Sequence, residues 1–197
     1  MGILYHYSPL FNLPPIIREG LSIGEIAQPG SRDRTTAVSL TSQTDHDRLF
    51  FWGNGTSGPW QIAVRYVCQI AEGDNRLEPA RSVWKRLNVS SKTVKGLDPN
   101  GQSKWWYFYH GVISPERFTV ELWGRHGFVP ATSAQLSRIV TEVDILRDKF
   151  EFIVPPDEPW ALDLKLKDQS DKSPSWVLKE AFPADRYSGA NPARLDE

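Results

Sequence analysis

The chain has 197 residues, 40% of them hydrophobic and 24% charged, with a net charge of -1, values expected of one soluble globular domain or of one domain with a long tail. This balance excludes a nucleic-acid binder that works by bulk positive charge, though not a local basic groove. A single cysteine, Cys68, excludes a disulfide framework or a cysteine-based zinc knuckle, and with no apolar leader or 18-residue apolar run a cytoplasmic protein is expected.

In chain order, Ile3 to Tyr7 is a short apolar strand that ends at Ser8-Pro9. Asn12 then offers an N-cap, Pro14 and Pro15 suit a first helical turn, and Gly20 suits a stop, which predicts a helix of about two turns. A polar loop from Ser22 to Thr35 carries Arg32, Asp33 and Arg34, and Ala37 to Thr41 reads as a strand. Thr44 can cap a helix from Asp45 to Trp52, and Gly53 to Pro59 is a loop. Ile62 to Ile70 alternates cleanly, placing Cys68 with Tyr66 and Ile70 on the more apolar side as a buried structural thiol.

A short helix around Pro79 to Leu87 precedes a polar loop from Asn88 to Ser103. Trp105 to Tyr109 is a strand, with Trp105, Tyr107 and Tyr109 on one side and Trp106, Phe108 and His110 on the other. Gly111 to Pro115 turns the chain into a strand from Phe118 to Trp123. Leu136, Ile139, Val140, Val143 and Leu146 have helical spacing, predicting a helix from Ser133 to Lys149, followed by a strand from Phe150 to Val154. Residues 155 to 197 hold six of the 15 prolines, so we divide the chain into a domain over 1–154 and a wrapping tail over 155–197. Short strands mixed irregularly with short helices give an α+β class.

Standard catalytic motifs are absent: no Walker loop, no dinucleotide glycine fingerprint, no H-E-x-x-H and no G-x-S-x-G. The four histidines have no ligand-like spacing, so no metal is expected. Eight tryptophans are more than a plain core needs and hint at a stacking platform. His6 stands out, because it sits within an apolar strand one residue from Tyr7 and two from Ser8.

Three pieces, in order, resemble the ADP-ribosyltransferase superfamily, which includes DNA-targeting toxins, poly(ADP-ribose) polymerases and RNA 2'-phosphotransferases. They are Leu4-Tyr5-His6-Tyr7-Ser8 with Asn12 to Leu21; Ala37 to Ser42; and Trp105 to Tyr109 with Gly111 to Glu116. Together they span about residues 3 to 123. The resemblance implies a split β-sheet core with short peripheral helices, NAD as substrate, and transfer of ADP-ribose to a protein or nucleic acid in a toxin or phage–host conflict setting.

By the same resemblance, His6 would hydrogen-bond the adenosine ribose of NAD and the Tyr7 backbone the nicotinamide carboxamide, with Ser8 beside them. Ser39, Thr41 or Ser42 would sit by the nicotinamide ribose, Arg32 or Arg34 would pair with the pyrophosphate, and Tyr7, Trp105 or Tyr107 would stack on nicotinamide. The family's glutamate belongs to the third strand, where this chain has Lys104-Trp105-Trp106-Tyr107-Phe108-Tyr109 and no acid. Glu121 is the nearest acid on a strand and the candidate substitute, completing a catalytic set with His6 and Thr41. A fold that binds a nucleotide, nucleic acid or protein without chemistry is the second expectation. An RNA 2'-phosphotransferase drawing on Arg32, Arg34 and Arg65 is the third, and a Ser/His hydrolase comes last.

Overall fold

The structure is a computed structural model that describes residues 2–22, 37–44, 64–98, 101–124, 127–153 and 163–168. The loop bearing Arg32 and Arg34, the expected helix over 45–52, the loop over 53–59, and most of the tail lie outside the described residues.

Nine strands and four α-helices are described: β1 (Gly2–Ser8), α1 (Leu13–Glu19), β2 (Val38–Thr41), β3 (Val64–Ile70), β4 (Leu77–Pro79), α2 (Ala80–Arg86), α3 (Ser91–Leu97), β5 (Trp106–Tyr109), β6 (Phe118–Gly124), β7 (Gly127–Pro130), α4 (Ser133–Arg147), β8 (Phe150–Ile153) and β9 (Asp163–Leu166). The fold is α+β. Seven strands form one sheet in the order β4-β5-β2-β1-β3-β6-β7, with every pairing antiparallel. β8 and β9 form a separate antiparallel pair.

Alternation along the strands sorts side chains to two faces. The inner face carries Leu4, Val64, Tyr66, Cys68, Ile70, Val38, Leu40, Val120 and Leu122, all buried. They join α1, α4, Phe150 and Leu166 in the main core, where each fully buried aliphatic side chain contributes about 1.5–3 kcal/mol. On the outer face, α2 lays Ala80, Val83 and Trp84 against Phe108 and Ala37 to make a second, smaller core.

Local chemistry sets the helix limits. α1 takes Pro14 and Pro15 in its first turn and stops at Gly20, whose φ is 90°. A side chain there would run into the carbonyl oxygen of Ile113, because Leu21 and Ile113 exchange two backbone hydrogen bonds of 2.9 Å. Asn12 makes no side-chain cap; a 3-10 turn over Leu10–Asn12 already leads the chain into the helix. α4 starts with a full capping box between Thr132 and Gln135.

Three local expectations change. The segment Asn88 to Ser103, read as a loop, contains α3, capped by the Ser90 side chain accepting from the Thr93 N–H. Trp105 closes a 3-10 turn, Gln102–Trp105, so β5 begins one residue later than expected. Past Pro155, β9 pairs with β8 and buries Leu166 in the main core, so part of the segment assigned to the tail is built into the domain.

Candidate functional site

The sheet is weakly joined at its middle. β1 and β3 register over seven residue pairs, whereas β1 and β2 register at one, Tyr5 with Thr41. The sequence-predicted residues His6, Tyr7, Ser39, Thr41 and Ser42 all flank this seam.

His6, on the inner side of β1, reaches across the seam. Its Nδ1 lies 2.8 Å from the carbonyl oxygen of Ser39. A carbonyl only accepts, so Nδ1 carries the proton and Nε2 of the neutral ring is left as an acceptor. Burial lowers the pKa of His6 from its ordinary value, with the Ser39 carbonyl opposing the shift, and the imidazole is therefore neutral at pH 7. Its ring tilts against Tyr66 at 5.9 Å.

Tyr7 points to the outer face. Its hydroxyl donates to the Gln43 carbonyl at 3.2 Å and its ring meets Phe128 edge-on at 5.5 Å. Burial raises its pKa, and the neighbouring Arg65 guanidinium works against the rise. Thr41 is buried, and its Oγ1 accepts from the Gln43 N–H at 3.0 Å, so the hydroxyl shapes the turn after β2. Ser39 and Ser42 are exposed. The Ser42 N–H donates to the Trp105 carbonyl at 3.0 Å, bringing Trp105 to the same strip. Ser8 is buried, its hydroxyl donating to the Pro9 carbonyl at 3.1 Å.

The aromatic alternatives separate. Tyr7 is on the outer face, whereas Tyr107 is on the inner face and packs against the main core. Trp105 is half-buried, with the Lys104 ammonium 4.3 Å from its ring centre.

Glu121 is not brought to His6 or Thr41. It lies on the outer face of β6, three strand positions from Thr41 in the order β2-β1-β3-β6, about 14 Å at ordinary strand spacing. There it accepts from Arg65 Nε at 2.6 Å, with Nη2 also at 2.6 Å. The guanidinium sits between the rings of Tyr5, at 5.0 Å, and Phe128, at 4.6 Å. Tyr5, Arg65 and Phe128 are the group sequence reading missed as a unit. The available signal was parity, since Tyr5 and Tyr7 are two apart in β1 and Arg65 has the opposite parity to Cys68 in β3.

Cys68 is inert. Burial pushes its thiol up to about 12. Of the other histidines, His110 lies with Nε2 3.2 Å from Glu78, while His46 and His126 lie outside the described residues. Among the described residues no group of three or more His, Cys, Asp and Glu side chains is placed to hold a metal ion, and no helix is long and apolar enough to cross a membrane. Comparison of the chain with protein-family models, curated proteins and solved structures finds no match.

Proposed function

We propose that this chain is an ADP-ribosyltransferase-like protein that takes NAD as substrate and transfers ADP-ribose to a macromolecular target, in a toxin or phage–host conflict setting. One observation carries the reading. Where the sheet parts into β4-β5-β2 and β1-β3-β6-β7, joined by one residue pair, His6 is fixed by the Ser39 carbonyl with Nε2 left as an acceptor. A ribose hydroxyl is the donor such a nitrogen takes. The weak joint between β1 and β2 supports the reading of a split β-sheet core, as does the nearness of Ser42 to Trp105 through the Ser42 N–H and the Trp105 carbonyl. Arg32 or Arg34, both outside the described residues, is the proposed partner of the pyrophosphate.

In this reading the bond between nicotinamide and ribose breaks through an oxocarbenium-like state, which needs a held ribose and nearby negative charge. The test is incubation of the purified protein with NAD while free nicotinamide is followed, alongside His6→Ala. The expected outcome is release by the parent protein and none by the variant. Retention of NAD affinity by His6→Ala would overturn the assignment.

The ion pair of Glu121 with Arg65 favours a second reading, a transferase-like fold that binds NAD without cleaving it. The candidate acid is already neutralised by a half-buried guanidinium and stands away from the seam. Saturable NAD binding lost in His6→Ala, with no nicotinamide released by either protein, would select this reading.

A further inference from the structure

Charge is unevenly placed in this chain. Between Ala80 and Trp105 stand six cationic residues (Arg81, Lys85, Arg86, Lys92, Lys95 and Lys104) and one acid, Asp98, although the whole chain has a net charge of -1. All six cationic residues are exposed. Asp98 is turned inward, its side chain 5% exposed.

Three of these cations, Arg81, Lys85 and Lys95, line a groove of about 420 Å³ between α2 and α3 with Trp84, Asp98 and Ser103, while Arg86 is paired with Glu78 at 2.6 Å. Arg81 is held over it by a 2.8 Å hydrogen bond from Nε to the Ser103 hydroxyl and a 3.8 Å approach to Asp98. Among the described residues Lys85 and Lys95 have no carboxylate partner. They line one groove from two helices, and an anion bound there gains from both charges. Trp84, part of the groove wall, is nearly fully buried and its indole N–H finds no acceptor among the described residues.

We infer that the groove between α2 and α3 docks the phosphodiester backbone of a nucleic acid. The groove is open, and Lys92 and Lys104 stand in sequence next to its lining residues Ser91 and Ser103, a longer run of positive charge than a small anion needs and one suited to a polymer. Ser103, in its wall, is three residues from Trp106, which registers with Thr41 at the seam. Trp84 of the groove wall meets the ring of Trp106 at 6.1 Å, so the groove adjoins the strand that pairs with β2. That the docked nucleic acid is the acceptor rests on the proposed function; that it docks does not.

The experiment measures binding of a labelled oligothymidylate and a labelled poly(A) strand to the full chain, without NAD, across a salt series. Lys85→Glu with Lys95→Glu is expected to weaken binding at least about tenfold, and the milder Lys85→Gln with Lys95→Gln to lower the slope of log K against log salt by about 1.4, two contacts on a single strand. His6→Ala is expected to leave binding unchanged. Unaltered strand binding by both pairs of variants, with circular dichroism matching the parent, would overturn the inference. So would binding of polyglutamate or anionic vesicles with no binding of either strand. Nicotinamide release is scored separately, so loss of that activity with strand binding intact rejects the proposed enzyme and keeps the groove.

Discussion

On β3, Val64, Tyr66, Cys68 and Ile70 look into the main core, while Arg65, Val67 and Gln69 face the other way. The same division runs through β6, where Val120 and Leu122 are buried and Glu121 joins the outer network. The inner face is held by area removed from water, which has no direction and tolerates no hole. The outer face near β1 is held by a guanidinium that satisfies one carboxylate and stacks between two rings, and its strength depends on each partner being present. A sheet with one apolar face needs only the first kind of cohesion. The second kind, on the side where Tyr7 and Thr41 lie, holds polar groups in fixed positions beside the seam.

Adjacent residues of β6 offer the strongest way to break that contrast. Leu122→Ala leaves a cavity on the inner face and is expected to cost about 2–5 kcal/mol, read from urea unfolding as a lower midpoint with an unchanged slope. Glu121→Gln leaves Arg65 without its counter-charge. Because both side chains keep some exposure, 14% and 16%, the expected cost is smaller, about 1–3 kcal/mol. Adding Arg65→Met to Glu121→Gln should recover part of that loss, whereas no second change on the outer face should rescue Leu122→Ala. Equal costs for the two single variants would remove the distinction.

The smallest effect sharpens the contrast through pH. His6 has a lowered pKa in the folded protein, so below about pH 6.5 the unfolded chain takes up a proton that the folded chain resists. Stability should therefore fall as the pH drops from 6.5 toward the folded value, by at most about 1.4 kcal/mol per pH unit. His6→Gln should flatten that part of a melting-temperature profile measured from pH 7 to pH 5. An identical profile in the variant would place the titration elsewhere.

Much of the fold was legible because periodicity reports burial. Val64 to Ile70 and the Leu136 to Leu146 series each have one dominant apolar face, and each forms the expected element. Prolines and Gly20 marked α1 for the same reason, being residues whose backbone limits act locally. The segment from Asn88 to Ser103 was harder, since α3 is short and polar and its Ser90 cap is indistinguishable from a loop serine until the backbone is seen. β4 was missed because three residues hold no period. At the site, His6, Ser39, Thr41 and Ser42 were found as neighbours of a seam. The separation of Tyr7 from Tyr107, and the capture of Glu121 by Arg65, depend on cross-strand register, which no single segment encodes.

The clasp between the two ends of the described chain has a consequence for when folding can finish. Arg18 on α1 pairs with Asp144, and Arg147 donates to the Phe11 carbonyl at 2.7 Å, contacts that join residues 126 and 136 positions apart. Phe11 also meets Phe150 edge-on at 5.5 Å, and Leu166 enters the same core from β9. α1 thus packs on segments that lie more than 110 residues later in the sequence. Leu10, Phe11 and Leu13 share their core with Ile139, Val143, Leu146 and Phe150, and contacts over so long a span cost more loop-closure entropy than local ones. During synthesis this apolar segment is therefore made well before all of its covering side chains are, and exposed apolar surface of that kind invites association with other chains.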